Sequence, residues 1–173
     1  MAYRNKTYVA FASEDIRSYR LMQAWRANQH IDFNFFDAHN LNLALDTSQR
    51  ETIRRRLRER LANTKQAVLL LGDGTRAKAA RPSAFLYYEI EVIEKLALPV
   101  VVVNLNGSRR ARSERLPARL AAPYYTVSVS FQPKIIQYAL DEYVPRFARN
   151  LGVRLPITGP HFYKGEVYRT LGL

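Results

Sequence analysis

Five short apolar runs punctuate the chain, and between them apolar positions recur every three or four residues. The first run, residues 7–12 (TYVAFA), stops at Ser13, Glu14 and Asp15, a helix-start signal with two first-turn acids. Ile16, Tyr19, Met22 and Trp25 then mark an amphipathic helix that runs to about Asn28. Residues 31–37 (IDFNFFD) alternate and close on Phe35 and Phe36, the pattern of a second strand. A polar loop over 39–48 ends in Asp46, Thr47 and Ser48, a cap for an Arg-rich helix whose inward positions are Ile53, Leu57 and Leu61. Residues 67–71 (AVLLL) read as a buried third strand, ended by the turn residues Gly72, Asp73 and Gly74. A polar, basic loop follows through Pro82.

Residues 83–107 (SAFLYYEIEVIEKLALPVVVVNLNG) predict a helix feeding a strand. Phe85, Tyr88, Val92, Ile93 and Leu96 form its apolar stripe, with Glu91, Glu94 and Lys95 on the opposite, wet face. Four valines after Pro99 suit a central parallel strand over 100–105. One helical turn is expected near 118–121, and residues 124–131 (YYTVSVSF) alternate as a fifth, edge-like strand. Pro133 opens the last large helix, to about Asn150, with Ile135, Ile136, Ala139, Leu140, Tyr143 and Phe147 facing inward. Strands alternating with helices predict an α/β fold. The expected architecture is a flavodoxin-like, five-stranded parallel sheet of order 2-1-3-4-5 with helices on both faces. Residues 1–151 form one domain, and 152–173 a tail packed on it. Such sheets bind ligands beyond the carboxyl ends of strands 1 and 3. Ser13 to Asp15 and Gly72 to Gly74 fall there, and Asp37 ends the second strand on the same rim.

Composition narrows the chemistry. The 173 residues contain no cysteine, which excludes disulfides, thiolate metal sites and thiol nucleophiles and makes the cytoplasm the default compartment. No run approaches the roughly 18 apolar residues of a membrane span. A P-loop, a GxGxxG and a GxSxG elbow are all missing, and His30, His39 and His161 lack metal-ligand spacing. A phospho-acceptor aspartate is not where a receiver domain needs it, because Gly72 ends the third strand and Asp73 comes one place late. Lys and Arg number 27 against 15 acids, a net charge of +12, which invites nucleic-acid binding. Many of the arginines sit in residues 49–60, around the stripe of one helix, and in 109–119. A solvated helix face, a phosphate-bearing ligand, an acidic partner or RNA all fit them.

One residue breaks the pattern. Glu89 falls near the middle of the apolar stripe of its helix. A carboxylate there must be paired, neutralised or set at the rim of a cavity, because burying it alone costs several kcal/mol or more. A structural ion pair with an arginine, a surface position in the first helical turn and a functional carboxylate are the three readings that spacing allows.

The segments VAFASEDI, FFDAHNLN, ETIRRRLRERL, AVLLLG, FLYYEIEVIEKLALPVVVVNLNGSR, KIIQYALDEY and YKGEVYRTLGL together resemble the bacterial TIR-like family that includes the TIR subunits of Thoeris anti-phage systems. In NAD-cleaving TIR domains the catalytic glutamate follows an aromatic by four residues, in a Trp-Cys-x-x-Glu pattern. Here Phe85-Leu86-Tyr87-Tyr88-Glu89 stands in that place, with Phe85-Leu86 for Trp-Cys. The resemblance implies a TIR fold in which Glu89 is catalytic and NAD+ is the substrate, with no cofactor and no metal. It also implies that Phe11, Ala12 and Ser13 line the nicotinamide-ribose pocket, that Asp37 and Ser83 stand at its rim, that Phe85 contacts substrate, and that the 39–48 loop covers substrate or mediates assembly. The expected product is an ADP-ribose-derived signal nucleotide for a downstream effector, made by a homo-oligomer responding to a phage-derived trigger. A non-enzymatic TIR-like interaction module and a basic nucleic-acid-binding protein are the competing functions.

Overall fold

The computed structural model describes residues 1–37 and 49–173, Phe36 and Asp37 by their backbone alone. The loop predicted over 39–48, with its Asp46-Thr47-Ser48 cap, lies outside the described residues. In chain order the elements are β1 (Lys6–Ala10), α1 (Ile16–Ala27), β2 (Phe36–Asp37), α2 (Arg50–Leu61), β3 (Gln66–Leu71), α3 (Thr75–Ala79), α4 (Phe85–Lys95), β4 (Val100–Asn104), β5 (Thr126–Ser130), α5 (Pro133–Asn150), β6 (Pro160–Phe162) and α6 (Gly165–Thr170). A 3-10 turn, Ser13–Asp15, joins β1 to α1, and another, Ala118–Leu120, precedes β5.

The fold is α/β, with an all-parallel sheet of order β2-β1-β3-β4-β5-β6. Every residue of β3 and β4 is buried, as their unbroken Leu and Val runs require of strands covered on both faces. The two-residue period of a strand splits them cleanly. Val9, Val68, Leu70, Val101 and Val103 face a core shared with α1 and α5, where Tyr19, Met22, Ile136 and Tyr143 pack. Tyr8, Ala10, Leu69, Val100 and Val102 face the opposite core, built with Leu57 and Leu61 of α2 and Leu86, Ile90 and Ile93 of α4. Tyr8 and α4 therefore share one side of the sheet.

Several sequence expectations need correction. Among the described residues strand two starts at Phe36 and not at Ile31, because Phe33 and Phe35 are buried as core fillers and Phe36 and Asp37 are the ones paired with β1. Strand five is no edge: all five of its residues are buried, and β6, which residues 152–173 supply, pairs outside it. The tail is further pinned by α6, whose buried Tyr168 hydroxyl accepts the Ser130 N–H at 3.1 Å. The basic loop before Pro82 contains α3. Among the described residues no helix is long and apolar enough to cross a membrane.

Candidate active site

At the carboxyl ends of β1 and β3, where the chain leaves the sheet in two directions, lies a cavity of about 560 Å³. That volume falls within the range of small-molecule sites. Its wall includes Phe11, Ser13, Ile16, Lys78, Arg81, Ser83, Phe85 and Glu89.

Glu89 reaches it from α4. Of the expected stripe Tyr88, Val92 and Ile93 are buried, Phe85 is half-buried and Leu96 is 39% exposed, while Leu86, Ile90 and Glu91 are buried as well, so the buried face is wider than expected. The cause is α2, which covers the flank carrying Glu91. Expected on the wet face, Glu91 is 6% exposed and accepts Arg54 Nε of α2 at 2.8 Å and Lys95 Nζ at 3.3 Å. Those two cations hold its carboxyl below the usual range against the opposing effect of burial. Glu89 stays within the stripe at 1% exposure, facing the sheet. Tyr8 of β1 donates its hydroxyl to Glu89 Oε1 at 2.6 Å. Burial pushes the Glu89 carboxyl up to about 8, and the Tyr8 hydrogen bond only partly opposes this.

The loops around the cavity are tied from several sides. Phe11 is stacked on Tyr19 of α1 at 4.8 Å between centroids. Lys78 extends from α3 to Ser13 Oγ and Glu14 Oε2, both at 2.7 Å, and holds the Glu14 carboxyl below its ordinary value. The loop bearing Arg81 and Ser83 is anchored by Tyr88, whose hydroxyl donates to Pro82 O at 2.8 Å. Gly72 is required by close approach: a Cβ there would lie 2.6 Å from Asp15 Oδ1 and 2.7 Å from its Cγ. At Gly74 the near neighbour of such a Cβ is the carboxylate end of Glu14, a flexible side chain that can move aside. Partly desolvated and close to Glu14 and Asp73, the Asp15 carboxyl is raised, with Lys78 and Arg115 opposing this.

Five of the expected site residues, Phe11, Ser13, Ser83, Phe85 and Glu89, thus share one cavity. Ala12 is buried beneath it, and its carbonyl accepts the Asp15 N–H at 2.8 Å, which shapes the turn instead of lining the wall. Asp37 ends β2, and its side chain lies outside the described residues. Lys78, Arg81 and Tyr8 escaped sequence inspection. The two cations looked like ordinary loop charge, and Tyr8 like a core aromatic. The available signal was that a tyrosine inside a central strand needs a partner for its hydroxyl.

The arginine-rich segments are partly absorbed by ion pairs: Arg115 with Asp73 at 2.8 Å, Arg119 with Glu94 at 2.6 Å and Arg58 with Glu51 at 3.1 Å. Among the described residues no group of His, Asp or Glu is placed to hold a metal ion. His161 lies in β6, its Nε2 3.0 Å from Thr158 O.

A family model described as Thoeris protein ThsB, TIR-like domain, matches residues 8–110, more than half of the chain. The matched span runs from β1 past β4 and contains the whole cavity wall named above. No curated protein matches the chain.

Proposed function

Because the chain belongs to the Thoeris ThsB TIR-like family, we propose that it is an anti-phage defence enzyme that cleaves NAD+ at the nicotinamide-ribose bond. What supports this reading above all is Glu89, a buried carboxyl in the wall of a nucleotide-sized cavity at the carboxyl ends of β1 and β3.

The chemistry suits one carboxylate. Nicotinamide leaves NAD+ as a neutral molecule from a cationic N-glycoside, so its departure needs no general acid. The barrier is the positive charge that develops on the ribose as the C–N bond breaks. An anionic Glu89 stabilises that oxocarbenium-like charge, and a desolvated setting strengthens the attraction. In the free protein burial favours the protonated acid. The pyridinium of an arriving NAD+ favours the anion, and the released proton goes to solvent. Phe11 and Phe85 provide apolar wall for the nicotinamide, while Lys78, Arg81 and the hydroxyls of Ser13 and Ser83 suit the pyrophosphate and ribose. Capture of the ribosyl cation by water gives ADP-ribose. Capture by an adenine nitrogen gives a cyclic isomer, the form we assign to the signal read by a separate effector in the cytoplasm.

The test is incubation of the purified protein with NAD+, alone, as an oligomer and with phage-infected lysate, resolving nicotinamide and the ADP-ribose isomers. Nicotinamide release by the native chain should fall at least about a hundredfold in Glu89→Gln. Equal turnover in that variant would refute the assignment. A second reading, assembly without catalysis, is favoured by the exposed Arg55 on α2. It gains if NAD+ is untouched under every condition.

A further inference from the structure

Glu89 and its hydrogen-bond donor come from different elements, 81 residues apart in sequence. Tyr8 sits in β1 at 1% exposure, its ring in the core between the sheet and α2 and α4. A buried phenol must place its hydroxyl somewhere, and here it is given to a carboxyl in the cavity wall. At 2.6 Å the bond is short and lies well within hydrogen-bond distance. Both groups are held by rigid elements: β1 is paired on both sides, and α4 is clamped by Leu86, Ile90 and Ile93. The Tyr8 bond ties one oxygen of that carboxyl to the sheet.

We infer that Tyr8 is a positioning residue for Glu89, its hydroxyl fixing one carboxyl oxygen and steadying the anion that cleavage of a cationic glycoside requires. The inference rests on the proposed role of Glu89 and adds a second residue to it. Tyr8 touches Glu89 and acts through it.

Several charged groups stand around α4 among the described residues. Arg54 of α2 and Lys95 of α4 itself are engaged by Glu91, and Arg119, from the turn before β5, by Glu94. Lys78 of α3 is held by Ser13 and Glu14. Arg81 lines the same cavity from the loop before α4. Burial opposes the charged form of Glu89, and the Tyr8 bond favours it.

The experiment uses two readouts, one independent of turnover. Protein carrying 13C-labelled glutamate side chains is titrated by NMR, with Glu89→Gln identifying the Glu89 signal, and kcat/KM for NAD+ is measured against pH. Tyr8→Phe keeps the ring and removes the donor. Its Glu89 midpoint should move alkaline by about one to two pH units, the worth of a hydrogen bond to a charged group. The acid limb of kcat/KM, which reports the free enzyme, should move with it. At pH 7, kcat/KM should fall on the order of tenfold for each pH unit the midpoint moves. Site-specific 3-fluorotyrosine at position 8, a stronger donor of nearly the same shape, should move the midpoint the other way. It also serves if Tyr8→Phe does not fold. A midpoint that ignores both changes overturns the inference whatever the turnover. A midpoint that moves as expected in a protein that never consumes NAD+ supports the Tyr8–Glu89 coupling and overturns the enzymatic reading.

Discussion

Removing the charge of Glu89 should stabilise the protein, increasingly so as pH rises. The carboxyl titrates at about 8 in the folded state against an ordinary value of 4.5. An acid whose folded pKa is raised keeps its proton in the native state while the unfolded chain gives it up. Below about pH 4.5 both states are protonated and no penalty exists. From there to about pH 8 the unfolded state is favoured by about 1.4 kcal/mol per pH unit, and above that the penalty levels off. At pH 7 it amounts to about 3 kcal/mol. Gln has nearly the same shape, carries an oxygen that can accept the Tyr8 hydroxyl, and has no proton to lose.

Urea unfolding of native and Glu89→Gln protein at a series of pH values checks this. The single tryptophan, Trp25, packed 4.7 Å from Phe131 and 5.9 Å from Phe33 between ring centroids, is the fluorescence probe. All other titrations cancel in the difference between the two proteins. The stability advantage of the variant should grow through the window and then flatten. A structural ion pair at Glu89 predicts the reverse, since a depressed folded pKa makes the variant lose stability as pH rises toward the unfolded value. A difference that does not vary with pH would refute the reasoning, and a growing disadvantage would establish the ion pair.

Two further variants test the surroundings. Lys78→Ala should raise KM for NAD+ several-fold with kcat little changed, as expected of a phosphate-binding charge that acts equally on ground and transition states. The same variant should let Glu14 titrate at a higher pH, because the Lys78 contact is what lowers it. Gly72→Ala should destabilise by about 1 kcal/mol or more by driving a methyl into Asp15. Thermal unfolding of Gly72→Ala, Asp15→Ala and the double variant measures the clash as a coupling energy.

Periodicity made the central sheet legible, because the Leu run of β3 and the Val run of β4 can only be doubly covered strands. It also located α5, with Pro133 at its first position. Legibility failed where a neighbour far off in sequence decided the outcome. The run 124–131 alternates like an edge, yet β6, a three-residue strand opened by a proline, covers it. Residues 31–37 alternate like a strand, yet their aromatics are consumed by the core before the ladder begins. At the site, the phase of α4 singled out Glu89, while Tyr8 and Lys78 became visible only when topology brought β1, α3 and α4 to one corner.

Glu89 and Glu91, two residues apart on one helix, show how the same side chain takes opposite roles. Glu91 looks toward α2, where Arg54 and Lys95 hold it ionised, and α2 is pinned to α4 by that contact. Such a pair fixes a helix and leaves little affinity for an added cation. Glu89 looks toward the sheet and the cavity, where burial outweighs the Tyr8 hydroxyl and the neutral acid is preferred. That arrangement is costly for stability and poor as a structural brace. On the proposed reading a positive charge arriving from outside gives it value, because any lowering of the carboxyl's pKa by that charge is interaction energy directed at the charge itself. A nicotinamide riboside is such a cation before cleavage, and its ribose becomes one during cleavage. On the proposed reading, the side of α4 that each carboxyl faces separates a brace from a catalytic group: Glu91 meets Arg54 of α2, and Glu89 meets the sheet and the cavity.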